Sequence, residues 1–188
     1  MWNLAKALIL AAVLAGSPIG QAALSQGSKA TTAPALGEPK ALGTFGQWTA
    51  AELTQAGGKI CYMVSRPAKS EGKYSKRGDV LLVVTHRPAS KSFDVVTFQA
   101  GYAFASGAKV PVNIDGKKFE LLARPDFEKE SAWAPDAKTD KALIAALRSG
   151  KTAIVQGTSA RHTETSDTFG LIGFTRAYAT IGQACGVK

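Results

Sequence analysis

The stretch VPVNIDGKKFELLA, residues 110–123, contains the strongest local folding signal in the chain. Apolar side chains occupy every second position up to Asp115-Gly116, and again from Phe119 to Ala123. Such alternation is typical of strands with one buried face. Asp-Gly readily adopts the positive φ angles that a two-residue turn between antiparallel strands needs. The stretch therefore predicts an antiparallel hairpin.

Short apolar runs on both sides of this hairpin indicate further strands. The run DVLLVVTHR, residues 79–87, is continuously apolar and β-branched, as in a central buried strand. In KICYMVSR, residues 59–66, apolar side chains fall on both faces, so both faces are expected to be covered. The other predicted strands are 45–53, 92–102, 152–160 and 168–172.

Two segments have a helical period instead. Residues 136–150 carry leucine and isoleucine at helical spacing and end at Gly150. An apolar stripe from Phe174 to Cys185 predicts a short final helix. Seven or eight short strands with one or two helices predict a mainly β fold, an antiparallel, immunoglobulin-like β-sandwich.

The first 43 residues are predicted to precede the folded domain. Residues 1–22 combine a single Lys6, a short apolar run and small residues up to Ala22, the order found in a secretory signal peptide. The run is shorter than the roughly 20 residues of a membrane span, and a retained N-terminal anchor is the alternative to cleavage. Residues 23–43 are predicted to form a disordered linker, and residues 44–188 the domain. No later segment is apolar enough to span a membrane.

The chain contains two cysteines, Cys61 and Cys185. An exported chain folds in an oxidising compartment, where two cysteines of one domain usually pair. A redox-active pair favours the C-x-x-C spacing, and a zinc site needs more ligands than two Cys and two distant His readily supply. The sequence therefore predicts one structural disulfide, and neither a metal site nor a cofactor.

The chain is basic, with a formal net charge of +9, or +8 without Lys6 of the signal peptide. A cationic exported protein is attracted to anionic surfaces such as lipopolysaccharide, wall polymers, anionic lipids or host glycans. Many exported proteins are basic for solubility alone, which is the alternative. A nucleic-acid partner is not expected outside the cytoplasm.

The segment SRPAKSEGKYSKRGD, residues 65–79, concentrates this charge between two predicted strands. Loops of this kind often carry binding residues. Its cations and its aromatic ring suit a phosphorylated glycan or a lipid headgroup, which Arg bonds in a bidentate manner; a solvated hairpin is the alternative. The candidate anion-binding residues are Arg66, Lys69, Lys73, Tyr74, Lys76 and Arg77.

No group of side chains predicts catalysis. A Ser-His-Asp triad can be written from His162 with Ser159 or Ser166 and Asp167, but these residue types are also common in turns. The nucleophile sequence G-x-S-x-G is not present, because GTSAR ends in Arg161.

The remaining titratable residues that could take part in catalysis also have structural interpretations. His86 is expected to be half-buried at the end of a strand. The acidic residues of RPDFEKES alternate with basic ones and are expected in a solvated loop, although two carboxylates are also what glycoside hydrolysis requires. These residues are Asp126, Glu128 and Glu130.

Eight short motifs occur in a characteristic order along residues 44–187. They are FGQW (45–48), CYMVS (61–65), GYAF (101–104), Trp133, LRSGK (147–151), GTSAR (157–161), LIGFTRA (171–177) and AC (184–185). In order and spacing they resemble the invasion-associated locus B family of alphaproteobacteria. Gln47, Gly170 and His162 depart from the family's usual pattern and leave the surface function open.

The resemblance implies an exported protein with a compact β-sandwich domain, periplasmic or outer-membrane associated, or secreted. It implies no catalytic residues, because the family carries no established ones, and pathogenic members are linked to host-cell invasion. We therefore expect a non-enzymatic protein that binds or stabilises a component of the cell surface. The alternatives are a hydrolase acting on wall or glycan material and a chaperone-like structural partner. The sequence does not define the oligomeric state.

Overall fold

Antiparallel strands dominate the computed structural model, which describes residues 38–187. The strands are β1 Lys40–Phe45, β2 Trp48–Gln55, β3 Gly58–Ser65, β4 Lys69–Gly72, β5 Leu81–Arg87, β6 Ser92–Gln99, β7 Lys109–Ile114, β8 Lys117–Ala123, β9 Ser131–Trp133, β10 Thr152–Thr158 and β11 Glu164–Gly170. Two helices, α1 Ala137–Ser149 and α2 Phe174–Cys185, complete this part of the chain. The strand order is β1-β2-β3-β5-β6-β9-β8-β7-β10-β11-β4.

The sheet folds back on itself, so that its two halves face each other. The Phe98 ring of β6 meets the Phe169 ring of β11 edge to face, with 6.2 Å between centroids. The indole N–H of Trp48 in β2 donates to the Gly170 carbonyl of β11 over 3.1 Å. These contacts join strands from opposite halves of the order. The predicted mainly β, sandwich-like fold class is confirmed. One continuous 11-stranded sheet forms both layers.

Both helices pack mainly against the half of the sheet that runs from β1 to β6. Asp136 begins α1, where its carboxylate accepts a hydrogen bond from the Thr139 N–H over 2.7 Å. The buried face of α1 packs against β6, and α2 packs against β2 and β3. The Phe174 ring of α2 meets the Trp48 ring edge to face at 4.9 Å. The two helices predicted from their periods are confirmed.

The predicted hairpin is formed by β7 and β8. Asp115 and Gly116 have φ angles of 46° and 91°, as the turn requires. The Asp115 carboxylate also accepts from the backbone N–H groups of Lys151 and Thr152, over 2.6 and 3.2 Å. The turn residue therefore also positions the start of β10.

The predicted disulfide joins Cys61 of β3 to Cys185 at the end of α2, with 6.0 Å between the Cα atoms. Gly186, directly after it, adopts a left-handed conformation that ends the helix. The bond fixes the C-terminal helix to the sheet.

The turn between β1 and β2 lies against the start of α2. A Cβ atom on Gly173 would lie 1.8 Å from the Phe45 carbonyl oxygen, and Gly173 has a φ of 93°. Only glycine tolerates both the approach and the left-handed backbone. FGQW and LIGFTRA, distant in the sequence, thus form one contact.

Several strand boundaries differ from the prediction. Residues 45–53, predicted as one strand, contain the end of β1, a turn and most of β2. β1 begins at Lys40, within the predicted linker 23–43. β11 spans Glu164–Gly170 rather than 168–172, and the predicted strands 92–102 and 152–160 end at Gln99 and Thr158.

The short strands β4 and β9 were not predicted, because they carry little apolar pattern of their own and depend on pairing with distant strands. Residues 1–22, predicted as a signal peptide, and most of the predicted linker lie outside the described residues. Within the described part of the chain, neither helix is long and apolar enough to cross a membrane.

Candidate functional site

The basic segment 65–79 is not one continuous loop. Its middle forms β4, which pairs with β11 at the end of the sheet. The segment therefore leaves β3 in one half of the sheet, adds a strand to the other half and returns to β5. This path separates its cations into three environments.

Arg77 lies inside the protein. Its two terminal nitrogens donate to the two carboxylate oxygens of Asp167 over 2.8 and 2.7 Å, and its Nε donates to the Ala100 carbonyl over 2.6 Å. The rings of Tyr74 and Tyr102 lie 5.4 and 4.9 Å from its guanidinium carbon. Burial opposes the charge of Arg77, but the hydrogen bonds and charge of Asp167 outweigh burial and raise its pKa. The sequence placed Arg77 among the candidate anion-binding residues. In the fold its guanidinium is bound to Asp167 and to the Ala100 carbonyl instead.

Arg66 and Lys69 are exposed and paired with nearby carboxylates. Arg66 contacts Asp79 over 2.9 Å, and Lys69 contacts Glu71 over 2.9 Å. All four side chains are more than half exposed. Exposed pairs of this kind contribute little to stability, and their charges are already compensated.

Lys73, Tyr74 and Lys76 line an open groove of about 510 Å³. Arg161, from the turn between β10 and β11, lines the same groove, which we call the basic groove. Among residues 38–187, Lys73, Lys76 and Arg161 form no ion pair, and no Asp or Glu lines the groove. Three uncompensated positive charges therefore meet beside one exposed aromatic ring.

The turn that presents Arg161 is held by hydrogen bonds. The Ser159 hydroxyl oxygen accepts from the backbone N–H groups of Arg161 and Thr163, over 3.2 and 3.1 Å. The Ala160 N–H donates to the Ala103 carbonyl over 2.8 Å. GYAF and GTSAR are thus brought together at one wall of the groove.

The floor of the groove is equally constrained. The Tyr102 hydroxyl lies 2.8 Å from the Thr165 hydroxyl oxygen, and burial raises the pKa of Tyr102. A Cβ atom on Gly157 would lie 2.3 Å from the Tyr102 hydroxyl, so glycine is needed where this ring packs. The floor of the groove is therefore preformed, and the cations project around it.

Arg161 was missing from the predicted anion-binding set. In the sequence it lies more than 80 residues from the basic segment. Its position in a Ser/Thr-rich turn after a predicted strand could have indicated an exposed, binding role for Arg161. No local pattern, however, indicates which distant turn lies beside residues 73–76.

The candidate triad is not assembled. The Asp167 carboxylate is bound by Arg77, and the Ser159 oxygen already accepts two backbone hydrogen bonds. His162 lies exposed in the turn, with a φ of 60°. Asp167 and Ser159, which such a triad would use, therefore serve other contacts.

His86 is fully buried under α2, rather than half-buried as expected. Its Nδ1 accepts from the Asp94 N–H over 3.1 Å, and its ring meets the Tyr178 ring edge to face at 5.6 Å. Burial lowers the pKa of His86, an effect that the Asp94 carboxylate opposes. His86 is therefore neutral near pH 7 and belongs to the packing between β5 and α2.

The acidic residues of RPDFEKES are exposed, as expected, and Asp126 pairs with Arg124 over 3.5 Å. Within residues 38–187, no three His, Cys, Asp or Glu side chains are placed to hold a metal ion.

Comparison with known proteins agrees with the sequence motifs. The family described as "Invasion associated locus B (IalB) protein" matches residues 48–182. Among solved structures, the chain is similar to invasion associated protein B from Bartonella henselae, with 22% identity and a TM-score of 0.51, over 76% of this chain and 95% of that one. At this identity the likeness shows the fold alone. No curated protein matches. The family match covers most of the chain and confirms the predicted membership: the chain belongs to the invasion associated locus B family.

Proposed function

We propose that this protein is an exported, non-enzymatic protein of the cell envelope that binds an anionic group of a cell-surface component in the basic groove. The observation that carries the proposal is the meeting of Lys73, Lys76 and Arg161 in a groove without any carboxylate. The disulfide bond supports export, because such bonds persist in oxidising compartments.

The groove suits a phosphate or carboxylate attached to a larger polar molecule. Arg161 offers a planar fork that bonds two oxygens at once, while the two lysines act as mobile point charges. Tyr74, which is 38% exposed, offers a ring face beside these charges. A phosphorylated glycan or a lipid headgroup presents both an anion and a surface for that ring.

The cellular role follows from this binding. We propose that the protein resides in the periplasm or at the outer membrane, or is secreted, where it binds or stabilises an anionic envelope component. The Bartonella henselae protein is described as invasion associated. A contribution to host-cell invasion is proposed for this chain only where its source is a pathogen.

The test is a binding titration with lipopolysaccharide and, separately, with phosphatidylcholine vesicles that contain phosphatidylglycerol. The triple variant Lys73→Gln/Lys76→Gln/Arg161→Gln should bind at least about tenfold more weakly than the unmodified chain. Binding by the unmodified chain should also fall as salt rises. Preference for one probe distinguishes a phosphorylated glycan from a lipid headgroup.

The matched control is Lys117→Gln/Lys118→Gln/Lys141→Gln, which removes three exposed charges that do not line the groove. This control should retain most of the affinity. Equal losses in both variants would show general attraction of a basic protein, and would refute binding in the groove.

A further inference from the structure

A second surface cleft lies beside the segment between β8 and β9. Its volume is about 390 Å³, and its lining is largely apolar. The lining residues are Leu122, Arg124, Phe127, Trp133, Ala134 and Pro135. None of them lines the basic groove. We call it the aromatic cleft.

Two aromatic rings form this cleft. The Phe127 ring lies 5.7 Å from the Trp133 ring at an interplanar angle of 63°. Phe127 is 78% exposed, the highest exposure among the large apolar side chains described. Leaving a phenyl ring in water forgoes the stabilisation that its burial would give. The folded domain gains nothing comparable from this ring, which leaves it available to a ligand.

The backbone at both aromatic residues is held by hydrogen bonds. Trp133 belongs to β9, which pairs with β6 on one side and β8 on the other. The N–H groups of Phe127 and Glu128 both donate to the Arg124 carbonyl, over 2.9 and 2.8 Å. The backbone that carries the two rings is therefore fixed before a ligand binds, which reduces the entropy lost on binding.

The rim of the cleft carries polar groups that are weakly engaged. The Arg124 guanidinium reaches Asp126 over 3.5 Å, and the two side chains are 64% and 70% exposed. Each retains unused hydrogen-bonding capacity, Arg124 as a donor and Asp126 as an acceptor. A ligand rich in hydroxyl groups can use both.

The charge around the cleft disfavours an anionic ligand. The one charged residue of the cleft lining, Arg124, is paired with Asp126, and segment 124–130 contains three carboxylates and two cations. In the basic groove, by contrast, every charged residue of the lining is basic. Anionic lipid and phosphorylated glycan are therefore poor occupants. The cleft volume is near the lower end of ligand pockets, roughly 300–1,000 Å³, which suits a short saccharide better than a folded partner.

We propose that the aromatic cleft binds a neutral carbohydrate. The C–H face of a sugar ring packs against Trp133 and Phe127, and its hydroxyl groups bond Arg124 and Asp126. This site is independent of the basic groove, and its failure would leave the groove proposal standing. With both sites, the protein would recognise a glycan by its neutral sugars as well as by an anion.

The test uses tryptophan emission with chitotriose, cellotriose and maltotriose as separate probes. The chain has three tryptophans, Trp2, Trp48 and Trp133. Trp48 is fully buried and Trp133 is partly exposed, so a change in emission on adding sugar that is lost in Trp133→Phe reports on the cleft. At least one probe should produce a saturable change at millimolar concentration. Phe127→Ala should weaken that binding about tenfold, and Arg124→Gln should also weaken it.

Ile172→Ala is the matched control, because Ile172 is a second highly exposed apolar side chain, 76% exposed, and does not line the cleft. It should leave sugar binding unchanged. The substituted side chains are exposed, and equal thermal midpoints will verify that each variant folds. The proposal is overturned if no probe binds, if binding survives Phe127→Ala, or if only an apolar peptide changes the emission.

Discussion

Arg77 shows how one residue can change its role between sequence and structure. Among basic neighbours in the chain it resembles a ligand-binding residue, yet in the fold its side chain is 5% exposed and that of its partner Asp167 is fully buried. A buried charge is tolerated only when it is paired and hydrogen-bonded. The bidentate contact, with two tyrosine rings around it, satisfies that condition.

We therefore predict that Arg77→Met destabilises the protein by about 3–5 kcal/mol, because Asp167 is left buried and unpaired. The double variant Arg77→Met/Asp167→Leu should lose clearly less, since neither charge remains. Urea unfolding of both variants measures the difference. A single variant as stable as the unmodified protein would contradict the structural role of Arg77.

At the scale of elements, the docking of α1 on β6 includes a buried carboxylate. Asp140 is 9% exposed, and its Oδ1 accepts from the Val96 N–H over 2.9 Å. Burial raises the pKa of Asp140 from 3.8 to about 6, although this hydrogen bond opposes the shift. Ionisation is thus less favourable in the folded state, so stability is lost as pH rises from about 4 through 6.

Asp140→Asn keeps an oxygen acceptor for Val96 and removes the charge. Above pH 7 it should be more stable than the unmodified protein by about 2 kcal/mol, and this advantage should vanish toward pH 4. Thermal unfolding across this pH range provides the measurement. Asp136→Asn is the matched control on the same helix. The pKa of Asp136 is lowered by its hydrogen bond to Thr139, so this control should show no gain at high pH.

At the scale of the whole molecule, the disulfide joins positions 124 residues apart and ties the final helix to β3. Closing so long a loop restricts the unfolded chain far more than the folded one. The chain-entropy model assigns such a loop roughly 4–5 kcal/mol.

We predict that Cys61→Ala/Cys185→Ala lowers the free energy of unfolding by about 3–5 kcal/mol. The midpoint of denaturant unfolding should fall in the variant, and likewise in the unmodified protein under reducing conditions. In the variant itself, reductant should have no effect. A midpoint that is unchanged by reduction would show that the bond contributes nothing to stability.

The sequence by itself determined the features that depend on neighbouring residues. The β7–β8 hairpin follows from alternation around Asp115-Gly116, and both helices follow from their periods and end residues. The disulfide was predicted from the pairing expected in an exported chain, since only two cysteines exist. The ordered motifs correctly indicated the family.

Only the tertiary structure decided which distant residues meet. It placed Arg161 beside Lys73 and Lys76, and it bound the guanidinium of Arg77, which also lines the groove, to the buried carboxylate of Asp167. It also paired β4 with β11, although β4 has four exposed residues and no apolar pattern. Local patterns report backbone geometry and the buried face of a segment, whereas these contacts depend on strand pairing between segments far apart in the chain. The composition of the basic groove is therefore a property of the sheet order, which no single stretch of sequence encodes.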